Sequence, residues 1–423
     1  MSTNGNNPLG SLRRIERVAP SVPGLNDLAG EIHSSLAALG LDASRLRGKT
    51  IAVSAGSRGI ANLKEIVRAV CAWLKAQGAT PFVFPAMGSH GGGTGDGQRK
   101  ILEEYGVTPE FVGAEIRSSM ETVVVGKAAA GYDTYMDRNA WESDGVIVIN
   151  RIKPHTDFSG TIESGLLKMV SVGMGKENGA RETHRWAWKF GFEQVIRTMA
   201  GVALGSGKVL CGLGVIENEF HQICAVRAAR AAEVPAVEEE ALKLARKLVP
   251  RLPFTKLQLL VVDELGKNIS GCGMDTKVVG RGTELQPGEA PDIQMIYVRD
   301  VTHESGGNAV GMGLADVMHE RLFRKIDFKK TYLNSTVALN PAPARMPLYV
   351  PTDRAALELT LGHLGRPSPE ELRMAWIRNT MSLQRFAVSP ALAREVEAFP
   401  GWRVLRDPAE VQFDSDGNLP TYL

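Results

Sequence analysis

Cysteine is scarce: the 423 residues contain four, Cys71, Cys211, Cys224 and Cys272, and no two stand at CxxC or other metal-ligand spacing. That excludes a disulfide framework and a thiolate zinc site, and it predicts buried thiols in a reducing compartment. An excess of charge of one sign is also missing. Forty-nine Lys and Arg against 47 Asp and Glu leave a formal net charge of +2, and no basic run or aromatic-interleaved basic stretch offers a phosphate polymer a track, so nucleic acid is not an expected partner. No apolar run approaches the roughly 20 residues that span a bilayer. The arginine-bearing N-terminus, MSTNGNNPLGSLRRIERVAP, has no apolar segment behind it and does not read as a secretory signal. The expectation is a cytoplasmic protein with no membrane or nucleic-acid partner. Internal repeats and low-complexity tracts are absent as well.

What is present is the composition of a soluble globular chain, 43% hydrophobic and 23% charged, with 45 glycines for tight turns and close backbone approaches. The length exceeds one ordinary core and predicts two domains. Residues 1–253 read as an N-terminal α/β domain that binds cofactor and does the chemistry, with an arm at 1–22. Residues 254–399 read as a C-terminal α/β domain, and a tail from about 400 to 423 is expected to pack back on the first. The apolar runs Lys49 to Ser54, Pro81 to Ala86, Gly145 to Asn150 and Lys208 to Ile216 read as strands, with a further strand near Thr122 to Val125. Between the first two, Ile60, Leu63, Ile66, Val67, Val70 and Leu74 share one helical face, which makes a βαβ unit. After the proline-flanked joint at Pro250 to Pro253, strands are expected at Lys256 to Val262 and Ile293 to Val298, and helices at Gly307 to Leu322, Asp353 to Leu361 and Pro369 to Met381. The fold class is therefore two mixed α/β domains with largely parallel sheets and an active-site cleft between them.

In open α/β sheets ligands bind outside the carboxyl ends of the strands, so the loops there hold the candidate chemistry. One such loop, Ala86 to Thr94, surrounds His90 with Gly88, Gly91, Gly92 and Gly93; exposed backbone N–H groups in a turn of this kind form anion nests, though a plain glycine-rich turn has the same composition. A second loop carries Pro154-His155, with Arg151, Lys153 and Asp157 crowded around it. Lys168 is the one cation in the apolar stretch Thr161 to Gly175, where a lysine either snorkels or becomes a nucleophile. His184 lies sixteen residues further on, on a predicted helix. The other five histidines have no comparable surroundings. In the second domain Asp263 to Asp275 repeats the order of strand, polar loop and glycine, with Lys267 inside it.

Taken in order, Gly88-Ser89-His90, Pro154-His155 with Phe158-Ser159-Gly160, Lys168 and His184 resemble the nickel-dependent lactate racemase family, over roughly Ile51 to Arg185. That resemblance implies a nickel-pincer nucleotide, a pyridinium mononucleotide whose sulfur arms hold nickel in a near-planar site. It implies covalent attachment of this cofactor at Lys168 and nickel ligation by His184. His90 and His155 then flank the substrate carbon and exchange its hydroxyl proton as hydride moves to and from the cofactor, which inverts the centre. Arg58, with Ser57 in the first turn, matches the family's arginine as a contact for substrate carboxylate or cofactor, and Gly91, Gly92 and Gly93 become candidates for holding the nucleotide phosphate. Lys267 is the candidate for the family's second-domain lysine. The implied activity is that of an isomerase, a racemase or epimerase of a 2-hydroxy acid, served by cofactor-maturation enzymes. Two differences stand out: Ala55 replaces the family's aspartate, and the loop from His155 to Lys168 is longer than the family's compact double-glycine turn. They favour a related 2-hydroxy acid or a sugar acid over lactate itself.

Two other readings use the same residues. A nucleotide- or phosphate-dependent enzyme would use the glycine loops without nickel, and a non-catalytic ligand- or cofactor-binding protein would share the scaffold.

Overall fold

Leu12–Arg17, within the stretch expected as an arm, forms strand β1. Its buried apolar residues, Leu12 and Ile15, are three apart, because the pairing with its neighbour shifts register between Arg13 and Ile15. That irregularity hides the strand from a period-two reading. The computed structural model describes residues 9–56, 59–156, 158–282, 285, 288–338, 340–409 and 411–420. They divide into two compact units.

The first unit comprises Val22–His155 and Ser159–Val249. Its sheet contains β2 (Thr50–Ala55), β3 (Thr80–Pro85), β4 (Glu115–Ile116), β7 (Gly145–Arg151), β8 (Val209–Glu217) and β9 (Ile223–Arg230), in the order β4-β3-β2-β7-β8-β9. All neighbours are parallel except β8 and β9. The central strands read as continuous apolar runs because both faces are covered; β8 is buried at every position. The Leu63–Ala76 helix contributes Ile66, Val67, Val70 and Leu74 to the core beside Ile51, Val53, Ile147 and Leu213. Parallel register places Ala55 opposite Pro85 and Arg151 opposite Val215, so the loops after β2, β3, β7 and β8 leave the sheet at one end. The strand expected near Thr122 is not part of this sheet. β5 (Thr122–Lys127) and β6 (Asp133–Asp137) form a separate antiparallel ribbon, and the 52% exposure of Val124 shows why a core position does not suit it.

The second unit comprises the chain up to Ser21, Thr156 and Phe158, and the residues from Pro250 onward. β10 (Lys256–Leu265), β11 (Asp292–Val301), β12 (Val317–His319), β13 (Leu348–Val350) and β14 (Met374–Ile377) are parallel; β15 (Arg385–Val388), β1 and β16 (Trp402–Ala409) extend the sheet antiparallel, in the order β13-β12-β11-β10-β14-β15-β1-β16. The arm and the tail, both assigned above to the first domain, thus supply two strands of this second sheet. Two expected helices are corrected. Gly307 to Leu322 is a loop, a strand and the start of a short helix: Gly311 adopts φ 110°, and a Cβ on Gly313 would lie 2.2 Å from the Ala342 carbonyl oxygen. Pro369 to Met381 contains β14, whose four residues are all buried; a short apolar run covered on both faces fits either periodicity.

A buried ion cluster closes this unit. Arg299, 2% exposed, donates to Asp353 through Nε at 2.8 Å and to the carbonyls of Leu419 and Pro420 at 2.7 and 3.0 Å. Tyr297, Arg321 and the Leu419 N–H also donate to Asp353, which is fully buried. Removing one partner strands the other's charge, so Asp353→Ala is expected to lower the unfolding free energy by about 3–5 kcal/mol. Urea denaturation measures this, and a loss below about 1 kcal/mol would show that water already screens the cluster.

Candidate active site

β7 delivers the chain into the Pro154-His155 loop, which Lys153 and Ser164 close with a pair of backbone hydrogen bonds at 2.8 and 3.1 Å. Inside it lies a residue that the sequence reading passed over. The fully buried Glu163 carboxylate accepts the His155 backbone N–H at 2.5 Å and the Gly160 N–H at 3.4 Å, and it pairs with Arg246. His155 is therefore fixed at its backbone by a charged acceptor, a stronger tie than a neutral hydrogen bond. Its ring Nε2 is in hydrogen-bond contact with Lys168 Nζ. The amine and the imidazole singled out from the sequence meet.

Lys168 ends a helical turn, Leu166–Lys168, that runs into a π-helical turn, Met169–Gly173. Such turns are rare and concentrate at functional sites. The turn is anchored from two sides. Asn150, at the end of β7, donates to the Gly165 carbonyl at 2.7 Å, and the carboxyl of Glu238 accepts the Leu167 N–H at 2.8 Å. Glu238 lies on the buried stripe of the Val234–Leu248 helix with Val234, Ala241, Leu242, Ala245 and Leu248. A Cβ on Gly165 would lie 2.3 Å from Glu238 Oε1, so this contact requires glycine.

Burial pushes the Glu238 carboxyl up to about 7, against the backbone N–H groups of Leu167 and Leu166, which favour its charged form. A carboxyl raised on folding contributes its full stability below its unfolded pKa and loses it as pH rises through the folded value. Between the ordinary 4.5 and about 7 the loss approaches roughly 3 kcal/mol. Glu238→Gln keeps an acceptor for the turn and removes the titration. The variant's stability is expected to fall less than the parent's between pH 5 and pH 8, by about 2–3 kcal/mol in denaturant titrations; parallel pH profiles would contradict this.

The His90 turn follows β3 and rests on the π-helical turn. Gly88 N–H donates to the Gly173 carbonyl at 3.2 Å, and a Cβ on Gly173 would lie 2.8 Å from the Ala86 carbonyl oxygen. Gly91, Gly92 and Gly93 take φ values of 67°, 66° and 67°. At Gly91 a side chain is also excluded by space: its Cβ would lie 2.6 Å from the backbone of Gly97 and Gln98. That glycine serves packing on the Gly95–Glu104 helix, whereas Gly92 has open space where a Cβ would stand. His90 itself is half-buried.

His184 lies on the Lys176–Phe190 helix, half-buried, with its ring edge-on to Phe192 at 5.5 Å. His90, His155, Lys168 and His184 all belong to the first unit. Lys267 belongs to the second, in the loop after β10, where its Nζ donates to the Gly271 carbonyl and its backbone N–H to Ser305 Oγ at 2.9 Å. Ser57 and Arg58 lie outside the described residues. Among the described residues, Glu217 at the end of β8 accepts the Ala61 N–H at 2.9 Å and pairs with Arg151 at the end of β7. Burial opposes ionisation of Glu217, but Arg151, His221 and the Ala61 N–H outweigh it and hold the carboxyl down at about 2.

Among the described residues no group of three or more His, Cys, Asp or Glu side chains is placed to hold a metal. A helix-borne imidazole in the same unit as a lysine amine fits a cofactor that brings its own metal donors. What the sequence reading missed is the supporting set: Glu163, Glu217, Glu238, and Gln98 with Lys176 beneath the His90 turn. An acid or amide on an otherwise apolar helical stripe was the available signal for Glu238 and Gln98.

Residues 41–189 match the lactate racemase N-terminal domain. No curated protein sequence matches the chain significantly. Among solved structures, that of the lactate racemase apoprotein from Thermoanaerobacterium thermosaccharolyticum is similar, with a TM-score of 0.52 and 12% sequence identity, over 88% of this chain and 99% of that one. That likeness is one of fold, and the mixed α/β architecture with its largely parallel sheets agrees with it. The stretch that matches the lactate racemase N-terminal domain is the one that carries His90, His155, Lys168 and His184.

Proposed function

We propose that this protein is a racemase or epimerase of a 2-hydroxy acid that works with a nickel-pincer nucleotide attached at Lys168 and ligated through nickel by His184. The contact between Lys168 Nζ and His155 Nε2, in a loop pinned by Glu163, carries this reading. A lysine amine on an otherwise apolar turn supports attachment by acylation, and an imidazole of the kind the chemistry needs stands beside it. When bound, the cofactor supplies a hydride acceptor. The chain's own task is to hold the substrate carbon between two imidazoles and to move the hydroxyl proton. His155 does this on one face and His90 on the other, imidazole being a side chain that can serve as either acid or base. Acylation of Lys168 removes the ammonium charge next to His155, so its ring can take the hydroxyl proton without a like-charged neighbour. Arg58 and Ser57 serve the substrate carboxylate or the cofactor, Gly91 to Gly93 the nucleotide phosphate, and Lys267 is the second-domain lysine. Ala55, where the family has aspartate, fits a substrate other than lactate.

The test is to purify the protein from cells that also express the cofactor-synthesis enzymes. Intact-mass spectrometry is expected to show an adduct on Lys168, elemental analysis to show nickel, and chiral chromatography to show inversion of a 2-hydroxy or sugar acid. Material with neither adduct nor nickel from such cells defeats the proposal, and an adduct without turnover on a broad panel leaves a cofactor-binding protein.

A further inference from the structure

The His90 turn is held from below by three buried polar side chains from three separate elements. Gln98, fully buried on the Gly95–Glu104 helix, donates from its amide nitrogen to the Gly88 carbonyl at 2.9 Å and to the His90 carbonyl at 3.2 Å. One amide thus brackets Ser89 and clamps both ends of the peptide that presents the imidazole. Its oxygen accepts from Lys176 Nζ at 3.0 Å, which fixes which way the amide points. Lys176 is fully buried, takes φ 53° at the start of the helix that carries His184, and also donates to the Pro85 carbonyl at the end of β3. Its charge is matched by Asp137 at 3.1 Å, likewise fully buried at the end of β6. Asp137 in turn accepts the Ala140 N–H at 3.1 Å and donates its own N–H to the Met174 carbonyl at 2.8 Å.

Core packing alone does not call for this arrangement. A buried ion pair is weak as a source of stability, and apolar residues of the same shape often do as well. What the pair adds is direction. Lys176 donates to Pro85 and Gln98 and is ion-paired with Asp137, partners from three elements, so the Gln98 amide is left one orientation, and the turn is joined to the helix of His184.

We propose that Gln98, oriented by the Lys176–Asp137 pair, is a positioning residue that fixes the His90 turn relative to the helix bearing His184. This rests on the racemase reading for its consequence in catalysis, and on the hydrogen bonds alone for its consequence in the apoprotein. Gln98→Met removes both amide functions at similar volume. Lys176→Met with Asp137→Leu removes the pair without leaving a charge stranded and keeps Gln98 in place.

In the apoprotein, hydrogen–deuterium exchange of the Gly88, His90, Gly93 and Thr94 amides is expected to accelerate about tenfold in Gln98→Met and about threefold or more in the double variant, because local opening sets their exchange. Exchange in β10 serves as the unaffected control. In cofactor-loaded protein, kcat for inversion is expected to fall about 30-fold in Gln98→Met with KM within about threefold, since a misplaced acid–base group costs rate more than affinity. Unchanged exchange of the turn in both variants overturns the proposal, and so does faster exchange with kcat intact. If the loaded parent inverts no 2-hydroxy acid, the racemase reading is what fails, and the exchange measurement still decides whether Gln98 and the ion pair hold the turn.

Discussion

Lys168→Ala is expected to abolish both the covalent adduct and detectable inversion, a fall of about a thousandfold or more, because it removes the attachment point and not merely a contact. Fold and stability are expected to persist. Lys168 is only half-buried, and the turn that carries it is held by Asn150, by the Glu238 cap and by packing of Leu166 and Leu167. Lys168→Arg separates charge from chemistry: the guanidinium keeps a cation near His155 but is a poor acyl acceptor, so this variant should also lack the adduct. Intact mass reads the outcome independently of turnover. An adduct of unchanged mass on Lys168→Ala protein, localised elsewhere by peptide mapping, would move the attachment to another side chain. Inversion at the parent rate without any adduct would dispose of covalent attachment altogether.

That His90 and His155 lie in loops at the carboxyl ends of strands was legible because parallel strands announce themselves, whereas Lys168 stood out only as the one cation of an apolar stretch. GVIVIN and PFVFPA are apolar runs ended by polar, glycine- or proline-bearing loops, and the rule that ligands sit at carboxyl ends turned those loops into candidates. Their supports were not legible, since each is a contact between residues distant in the chain. Glu163 is paired with Arg246 and Gln98 with Lys176, separations of 83 and 78 residues, and no local pattern encodes such pairs. Glu238 and Gln98 nonetheless left a trace, a polar residue where the 3.6-residue period demands an apolar one. Long periodic elements were the easiest to read, such as the Leu63–Ala76 helix. The mistaken elements were short or interrupted: β14 is four buried residues, β12 is three, and β1 carries its apolar residues at a spacing its bulged neighbour imposes. The second sheet consequently draws strands from both chain ends, an arrangement that sequence order conceals.

His155→Asn and His90→Asn separate a two-histidine inversion from a one-histidine mechanism. Asparagine preserves a hydrogen-bonding group of similar reach but does not titrate near neutrality, so each variant is expected to lose inversion by about 100- to 10,000-fold. The loss must be equal in both directions at equilibrium, because the two enantiomers have equal free energy. Proton removal from each enantiomer taken singly is different. If each imidazole serves one face, trapping of the 2-oxo acid released from one enantiomer should survive in His90→Asn, and trapping from the mirror substrate should survive in His155→Asn. The backbone of each loop has an anchor apart from the ring, His155 through its N–H to Glu163 and His90 through its carbonyl to Gln98, so in variants that keep these anchors loss of function reports on the imidazole. Should one variant lose release from both enantiomers while the other loses neither, a single histidine would be doing the acid–base work for both faces, and the assignment of opposite faces to His90 and His155 would have to be given up.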